Sequence, residues 1–179
     1  NTSGLLGQGH AFAAGAAIAA KFLQNRLGEI MNQTIYSYIS DGSVQEEISQ
    51  GVGRIAGHLG LSNLIMFYDS NEIQLSTTTD IVTSEDVAKK YEAWNWKVIK
   101  INGNDVDQIR RALTEAKAEK VKPTLIIGDT IMGRGALTLD CSSFECQVST
   151  HGQPLSAAGA DFEQTVKNLG GDPESPFVV

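Results

Sequence analysis

Apolar and polar positions along this chain switch between a period of two and a helical period, and the switches mark out its elements. Residues 34–73 carry the pattern most fully. Thr34-Ile35-Tyr36-Ser37-Tyr38-Ile39 alternates β-branched and aromatic side chains and reads as a buried strand. Ser40-Asp41-Gly42 is a turn. Ser43 with Glu46 three residues later makes a capping box, which predicts a helix start there. Val44, Ile48, Val52, Ile55, Ala56 and Leu59 follow at helical spacing, and Gly60 ends the helix. Residues 63–68 form a second apolar run, a strand that leads into Asp69-Ser70-Asn71-Glu72-Ile73. This is a βαβ unit, so both loops leave the same, C-terminal edge of a parallel sheet.

The remaining pattern repeats the theme. Residues 4–9 lead into a helix rich in alanine, with Ala11, Ala13, Ala14, Ala16, Ala17, Ala19 and Ala20. Its small face admits another backbone closely, from the sheet or from a partner subunit, and periodicity leaves both open. Gly7-Gln8-Gly9 is no dinucleotide fingerprint, because Phe12 stands where the third glycine belongs and no strand precedes it. Residues 74–81 read as a polar loop with a short strand. Thr83 is predicted to cap a helix with Asp86 at its third position and with Val87, Ala88, Tyr91 and Trp94 on one face. Residues 96–101 alternate as a strand. Asn104 is placed to cap a helix over residues 105–119, with Ile109, Ala112, Leu113 and Ala116 inward, and residues 124–127 make the fourth strand. Residues 131–153 lack periodicity and read as a long loop, functional or mobile. A final helix is expected from Ser156 to Leu169, stopped by Gly170-Gly171 and Pro173. The fold class is α/β, a three-layer α/β/α arrangement with a mainly parallel sheet, in one domain over residues 1–179.

Charge and composition narrow the function. With 14 Lys and Arg against 21 Asp and Glu the net charge is −7, which argues against nucleic acid or an anionic membrane surface as partner. An anionic ligand would then be held by a metal and backbone N–H groups. No apolar run approaches the ~20 residues of a membrane span, and no signal peptide is visible. Cys141 and Cys146 are too few for a disulfide framework and read as free thiols of a reduced cytoplasm, where Asn32-Gln33-Thr34 is not a glycosylation site.

Candidate chemistry gathers where the two strands end. Asp41 caps the first strand and Asn71 the second, so a carboxylate, an amide oxygen and backbone carbonyls offer an oxygen-only set suited to Mg²⁺ or Ca²⁺ with phosphate oxygens. The helix N-terminus expected near Ser43 favours an anion beside them.

Asp41-Gly42, with Asn71-Glu72-Ile73 thirty residues beyond Asp41, resembles the GDG…N motif of thiamine-diphosphate enzymes. DGSVQEEIS, AGHLGLSNLIMFYDSNEIQLS and KKYEAWNWKVIKINGND resemble transketolases in particular. The likeness runs in order from Thr2-Ser3-Gly4-Leu5-Leu6-Gly7-Gln8-Gly9 to His151-Gly152-Gln153-Pro154-Leu155 and on to Phe177. It implies the diphosphate-binding domain of an enzyme that moves a two-carbon ketol group from a ketose phosphate to an aldose phosphate in the pentose phosphate pathway. Asp41 and the Asn71 side chain then bind Mg²⁺, with Ca²⁺ as a substitute, and Ile73 adds a backbone carbonyl. Gly42 lets the backbone approach the diphosphate, and Gly4 and Leu6 lie beside the pyrimidine end of thiamine diphosphate. His151 contacts diphosphate and substrate. Glu46 joins a carboxylate network across a homodimer interface at which the cofactor sits.

The chain departs from the family pattern at two places. Ser40 replaces the first glycine of the motif, where a Cβ would crowd the phosphates, and a second glutamate of the network falls at Gly51. Plainer readings stand beside the functional ones. An isolated Asp-Gly is a helix cap, His151 a surface histidine, Glu46 a capping residue, Arg134 solvated and His58 structural, while His10 matches no catalytic histidine of the family. Ile39-Ser40-Asp41-Gly42-Ser43 also resembles the tail of a haloacid-dehalogenase-type phosphatase motif, but Ser37 and Ile39 lack the required earlier aspartate. A non-catalytic binding module that keeps the fold is the other alternative, supported by Ser40 and Gly51. The family has a further N-terminal segment and two later domains, one of which supplies the glutamate that activates the cofactor. The chain thus reads as a piece of a longer enzyme, inactive by itself.

Overall fold

The computed structural model describes residues 4–178. Its elements in chain order are α1 (Gln8–Leu27), β1 (Ile35–Ser40), α2 (Asp41–Gln45), α3 (Glu47–His58), β2 (Leu64–Ser70), β3 (Ile73–Gln74), β4 (Thr77–Thr78), α4 (Val87–Ala93), β5 (Lys97–Asn102), α5 (Val106–Ala118), β6 (Thr124–Asp129), α6 (Leu155–Ala158) and α7 (Phe162–Asn168). Short 3-10 turns lie at Glu29–Met31, Thr79–Ile81 and Val148–Thr150. Thr2 and Ser3, where the first family motif begins, lie outside the described residues. The chain gathers into two compact units, one of Asn1–Ser70 with Ser84–Thr130 and one of Asn71–Thr83 with Ile131–Val179.

The first unit holds a four-stranded parallel sheet in the order β1-β2-β6-β5. Burial separates its centre from its edges. Leu64, Ile65 and Met66 of β2 and Thr124 through Ile127 of β6 are buried in unbroken runs, as strands covered on both faces must be, whereas β1 alternates and no residue of β5 is fully buried. Successive side chains point to opposite faces. Leu64, Met66, Tyr68, Leu125 and Ile127 therefore join Ala13, Ala14 and Ala17 of α1, Ala56 of α3, and Ala88 and Tyr91 of α4. Ile65 and Ile126 meet Ala112 and Ala116 of α5 on the other face. This is the expected α/β arrangement, and the alanine face of α1 is spent on its own sheet. Asn63 fastens it, donating from Nδ2 to the Ala17 carbonyl at 3.0 Å.

α3 comes close to the chain that follows α4 because it lacks side chains there. A Cβ on Gly57 would lie 1.7 Å from the Trp94 carbonyl oxygen, and one on Gly53 would lie 2.9 Å from the Trp94 ring. Trp96 Nε1 donates to the Gly53 carbonyl at 2.8 Å in the gap so formed.

Several boundaries differ from the expected ones. No capping box forms at Ser43 and Glu46. The chain is helical from Asp41, breaks at Glu46 (φ −65°, ψ 136°) and restarts at Glu47, and neither helix start has a side-chain cap bond. Ser43 instead offers its carbonyl to Ser49 Oγ at 2.6 Å. The buried face of α3 is Ser49, Gly53, Ala56 and Gly57, while Ile48, Ile55 and Leu59 are exposed. α4 is capped by Asp86, which accepts from the Lys89 amide, and not by Thr83. α5 is capped by Asp105, which accepts from the amides of Asp107 and Gln108, one residue after the expected Asn104. In both places an aspartate nearer the first turn outcompetes the predicted cap.

In the second unit β3 and β4 pair as a two-residue antiparallel hairpin. The long loop is pinned to α7, whose Thr165 Oγ1 accepts from the Leu137 amide and whose Asn168 Nδ2 donates to the Gly135 carbonyl. The single final helix predicted there is two. Gly159 (φ 121°) ends α6, and Asp161 starts α7 afresh by accepting from the Gln164 amide at 2.9 Å.

Candidate functional site

Asp41 is the first residue of α2, directly after β1. It is only 2% exposed. A carboxylate so placed needs polar partners, and Tyr68 provides one, its hydroxyl donating to Asp41 Oδ1 at 2.6 Å. The pairing register sets this up, since Ile39 lies opposite Tyr68 and Ser40 opposite Asp69. One residue further, at the strand tips, the Asp69 carboxylate accepts from the Tyr38 hydroxyl at 2.5 Å and from Thr130 Oγ1. Desolvation of the Tyr38 phenol, together with the Asp69 carboxylate, holds its hydroxyl above its usual range.

Leu6 and Gly42, both named as cofactor contacts, come together here. A Cβ on Gly42 would sit 3.5 Å from Leu6 Cδ1. Gly7 (φ 82°) lies against the head of α3, where a Cβ would meet Ile48 and Ser49 within 2.8 Å. Gly4 is exposed with open space about it. Ser40 carries no backbone strain, with φ −121°, and its Oγ lies 3.0 Å from Ser43 Oγ. A Cβ on Gly51 would meet nothing within 4 Å, so packing does not demand a glycine there. Glu46 is exposed between α2 and α3, without the capping role expected of it. The one-turn α2 also replaces the longer helix whose N-terminus was expected to face an anion.

The second unit holds Asn71, Ile73 and His151. Asn71 is half-buried and its Oδ1 accepts from the Ile73 amide at 3.0 Å, while Ile73 itself is buried. The strained intervening residue, Glu72 (φ 62°), closes the hairpin by accepting at its carbonyl from the Thr79 amide. A cavity of about 410 Å³ opens here, lined by Asn71, Glu72, Ile73, Thr78, Thr79, Asp80 and Cys146. His151 is partly buried, and its Nδ1 is buried without a hydrogen-bond partner among the described residues.

Two residues escaped the sequence reading. Tyr68 gives no signal, because a tyrosine in an apolar strand is ordinary. His10 lies on the inner side of α1, 2% exposed, and burial lowers its pKa to about 4. His58, by contrast, is exposed at the end of α3 and supports no core. Among the described residues no group of three or more His, Cys, Asp or Glu side chains is placed to hold a metal, and no helix is long and apolar enough to cross a membrane. Asp41 in the first unit and Asn71 and Ile73 in the second each offer oxygen donors, the kind that Mg²⁺ takes together with waters and substrate phosphates.

The family model described as "Transketolase, thiamine diphosphate binding domain" matches residues 1–179. The chain belongs to the transketolase family. It is similar to Transketolase 1 of Saccharomyces cerevisiae, 41% identical over 184 residues that cover 99% of this chain and 26% of the relative. Among solved structures, transketolase from Leishmania mexicana matches with a TM-score of 0.90 and 35% identity, over 99% of this chain and 26% of that one. A Pichia stipitis transketolase in complex with sedoheptulose-7-phosphate matches with a TM-score of 0.79 and 29% identity, over 99% and 26%. The chain thus spans about a quarter of the length of the relatives it matches. Family membership removes the phosphatase alternative.

Proposed function

We propose that this chain binds thiamine diphosphate by its diphosphate end, with Mg²⁺ between phosphate oxygens and protein, within an enzyme that transfers a two-carbon ketol group from a ketose phosphate to an aldose phosphate. The observation that carries the reading is Asp41, a buried carboxylate at the tip of β1, hydrogen-bonded by Tyr68 and followed by Gly42, in a chain matched throughout by the diphosphate-binding family domain. Asp41 contributes the formal charge that offsets the cation, Asn71 an amide oxygen and Ile73 a backbone carbonyl. Ca²⁺ is an acceptable substitute, since every donor is oxygen.

Gly42 admits the diphosphate to the backbone, and Gly4 and Leu6 lie beside the pyrimidine. When bound, thiamine diphosphate supplies the nucleophilic thiazolium carbon that carbon–carbon cleavage requires. His151 contacts diphosphate and substrate, a role supported by its unpartnered Nδ1. Sugar phosphates of the pentose phosphate pathway are the substrates, a reading supported by the sedoheptulose-7-phosphate complex of the Pichia stipitis relative. The exposed Phe12, Ile18 and Phe22 of α1, with Ile48, Ile55 and Leu59 of α3, support a homodimer with the cofactor at the subunit interface. Glu46 then reaches toward the partner subunit. The exposed free thiols of Cys141 and Cys146 support a cytoplasmic, reducing setting.

Calorimetric titration of the chain with thiamine diphosphate tests the reading. Heat of binding is expected with Mg²⁺ present and none with a chelator in its place. Binding indifferent to Mg²⁺, or none at all, would refute it.

A further inference from the structure

Within the first unit the Tyr68 side chain touches the carboxylate of the proposed metal ligand and has no role in the function as stated. We infer that Tyr68 is a positioning residue, whose hydroxyl orients the Asp41 carboxylate for Mg²⁺. The inference rests on the assignment of Asp41 to the metal.

Tyr68 points to the face of β2 that also carries Leu64 and Met66, and its ring lies in the same apolar cluster. Packing there calls for a hydrophobic side chain, and a phenylalanine would meet it. The hydroxyl is the additional feature, and it is spent on Asp41 Oδ1. Both residues are nearly closed to water, Tyr68 at 6% and Asp41 at 2% exposure. The 2.6 Å separation falls in the short range of hydroxyl–carboxylate bonds. Bond length and burial together make this contact directional. The terminal torsion of an aspartate is soft and broad, so a donor anchored in a central strand selects one rotation of the carboxylate plane.

That selection bears on which ion the site takes. Mg²⁺ demands near-ideal octahedral geometry with short bonds, whereas Ca²⁺ tolerates irregular shells. An Asp41 carboxylate held at one rotation serves Mg²⁺, while a freely rotating one serves Ca²⁺ nearly as well. Outer-shell partners of this type are worth roughly 10–100-fold in metal affinity when removed. Tyr68→Phe keeps the ring and removes only the donor.

The test titrates the 179-residue chain and its Tyr68→Phe and Asp41→Asn variants with Mg²⁺, and separately with Ca²⁺, in the presence of thiamine diphosphate. Circular dichroism and melting without metal establish that each variant is folded. Tyr68→Phe should bind Mg²⁺ roughly 10–100-fold more weakly and lose less affinity for Ca²⁺, so the preference for Mg²⁺ falls. Tyr68→Leu, which also lacks the hydroxyl, should shift the preference in the same direction and serves if the phenylalanine variant does not fold. Unchanged Mg²⁺ affinity in Tyr68→Phe, with binding abolished in Asp41→Asn, would overturn the positioning role and leave the metal assignment standing. An equal loss for both ions would make Tyr68 a packing residue and overturn it too. Metal binding by Asp41→Asn equal to that of the wild type, or none by the wild type, would overturn the assignment of Asp41 and the inference with it.

Discussion

Asp41 and Asn71 are visible in the sequence because the motif that carries them depends on spacing along the chain, each following the end of one of two strands, β1 and β2, that pair in parallel. Tyr68 is invisible for the complementary reason. Its partner lies 27 residues away and is chosen by strand register, which no local pattern states. His10 is similar: helical periodicity places it on α1 but does not say that the side is closed to water. Its burial has a consequence for stability. The folded-state pKa lies at about 4, below the ordinary value of 6.5, so the unfolded chain binds the extra proton between those values. Stability from the neutral imidazole is complete above the unfolded value and is lost as pH falls toward 4. At about 1.4 kcal/mol per pH unit over this window, the chain should lose about 2 kcal/mol between roughly pH 7.5 and pH 5. Denaturant unfolding at the two pH values measures this, and His10→Leu should remove most of the difference. Equal pH dependence in the variant would show that other groups carry it.

At the level of elements, the four sheet strands and the main helices follow from periodicity, and the errors fall at helix ends and at the breaks at Glu46 and Gly159. Caps are decided by local competition, as where Asp86 and Asp105 displace Thr83 and Asn104. The exposure of Ile48, Ile55 and Leu59 has a cause that lies beyond the helix. α3 packs through its glycines, against Trp94 and Trp96, and not through its large apolar side chains. The glycines of this one helix should therefore respond oppositely to the same change. Gly57→Ala sets a methyl group against the Trp94 carbonyl, which is backbone and does not swing aside, so it should cost about 3 kcal/mol or more. Gly51→Ala meets nothing within 4 Å and restrains the unfolded chain, so it should gain about 0.4–1 kcal/mol. Melting curves of the two variants decide the matter. Similar destabilisation by both would mean that α3 tolerates no added side chain and that contact with Trp94 is not the reason.

For the molecule as a whole, the net charge of −7 makes an anionic cofactor a problem that the fold has to solve locally. A buried carboxylate would repel a diphosphate, and a divalent cation between them turns repulsion into attraction. On the proposed function, cofactor binding therefore depends on Asp41 acting through a metal. On the same reading the exposed apolar side chains of α1 and α3 bear on assembly and leave this dependence untouched. The most direct measurement is the affinity for thiamine diphosphate at saturating Mg²⁺, compared across wild type, Asn71→Ala and Asp41→Ala. Loss of the neutral amide ligand should weaken binding, and loss of the charged ligand should weaken it further, beyond the roughly 10–100-fold typical of an outer-shell change. Wild-type affinity in Asp41→Ala, with the fold intact, would contradict that dependence.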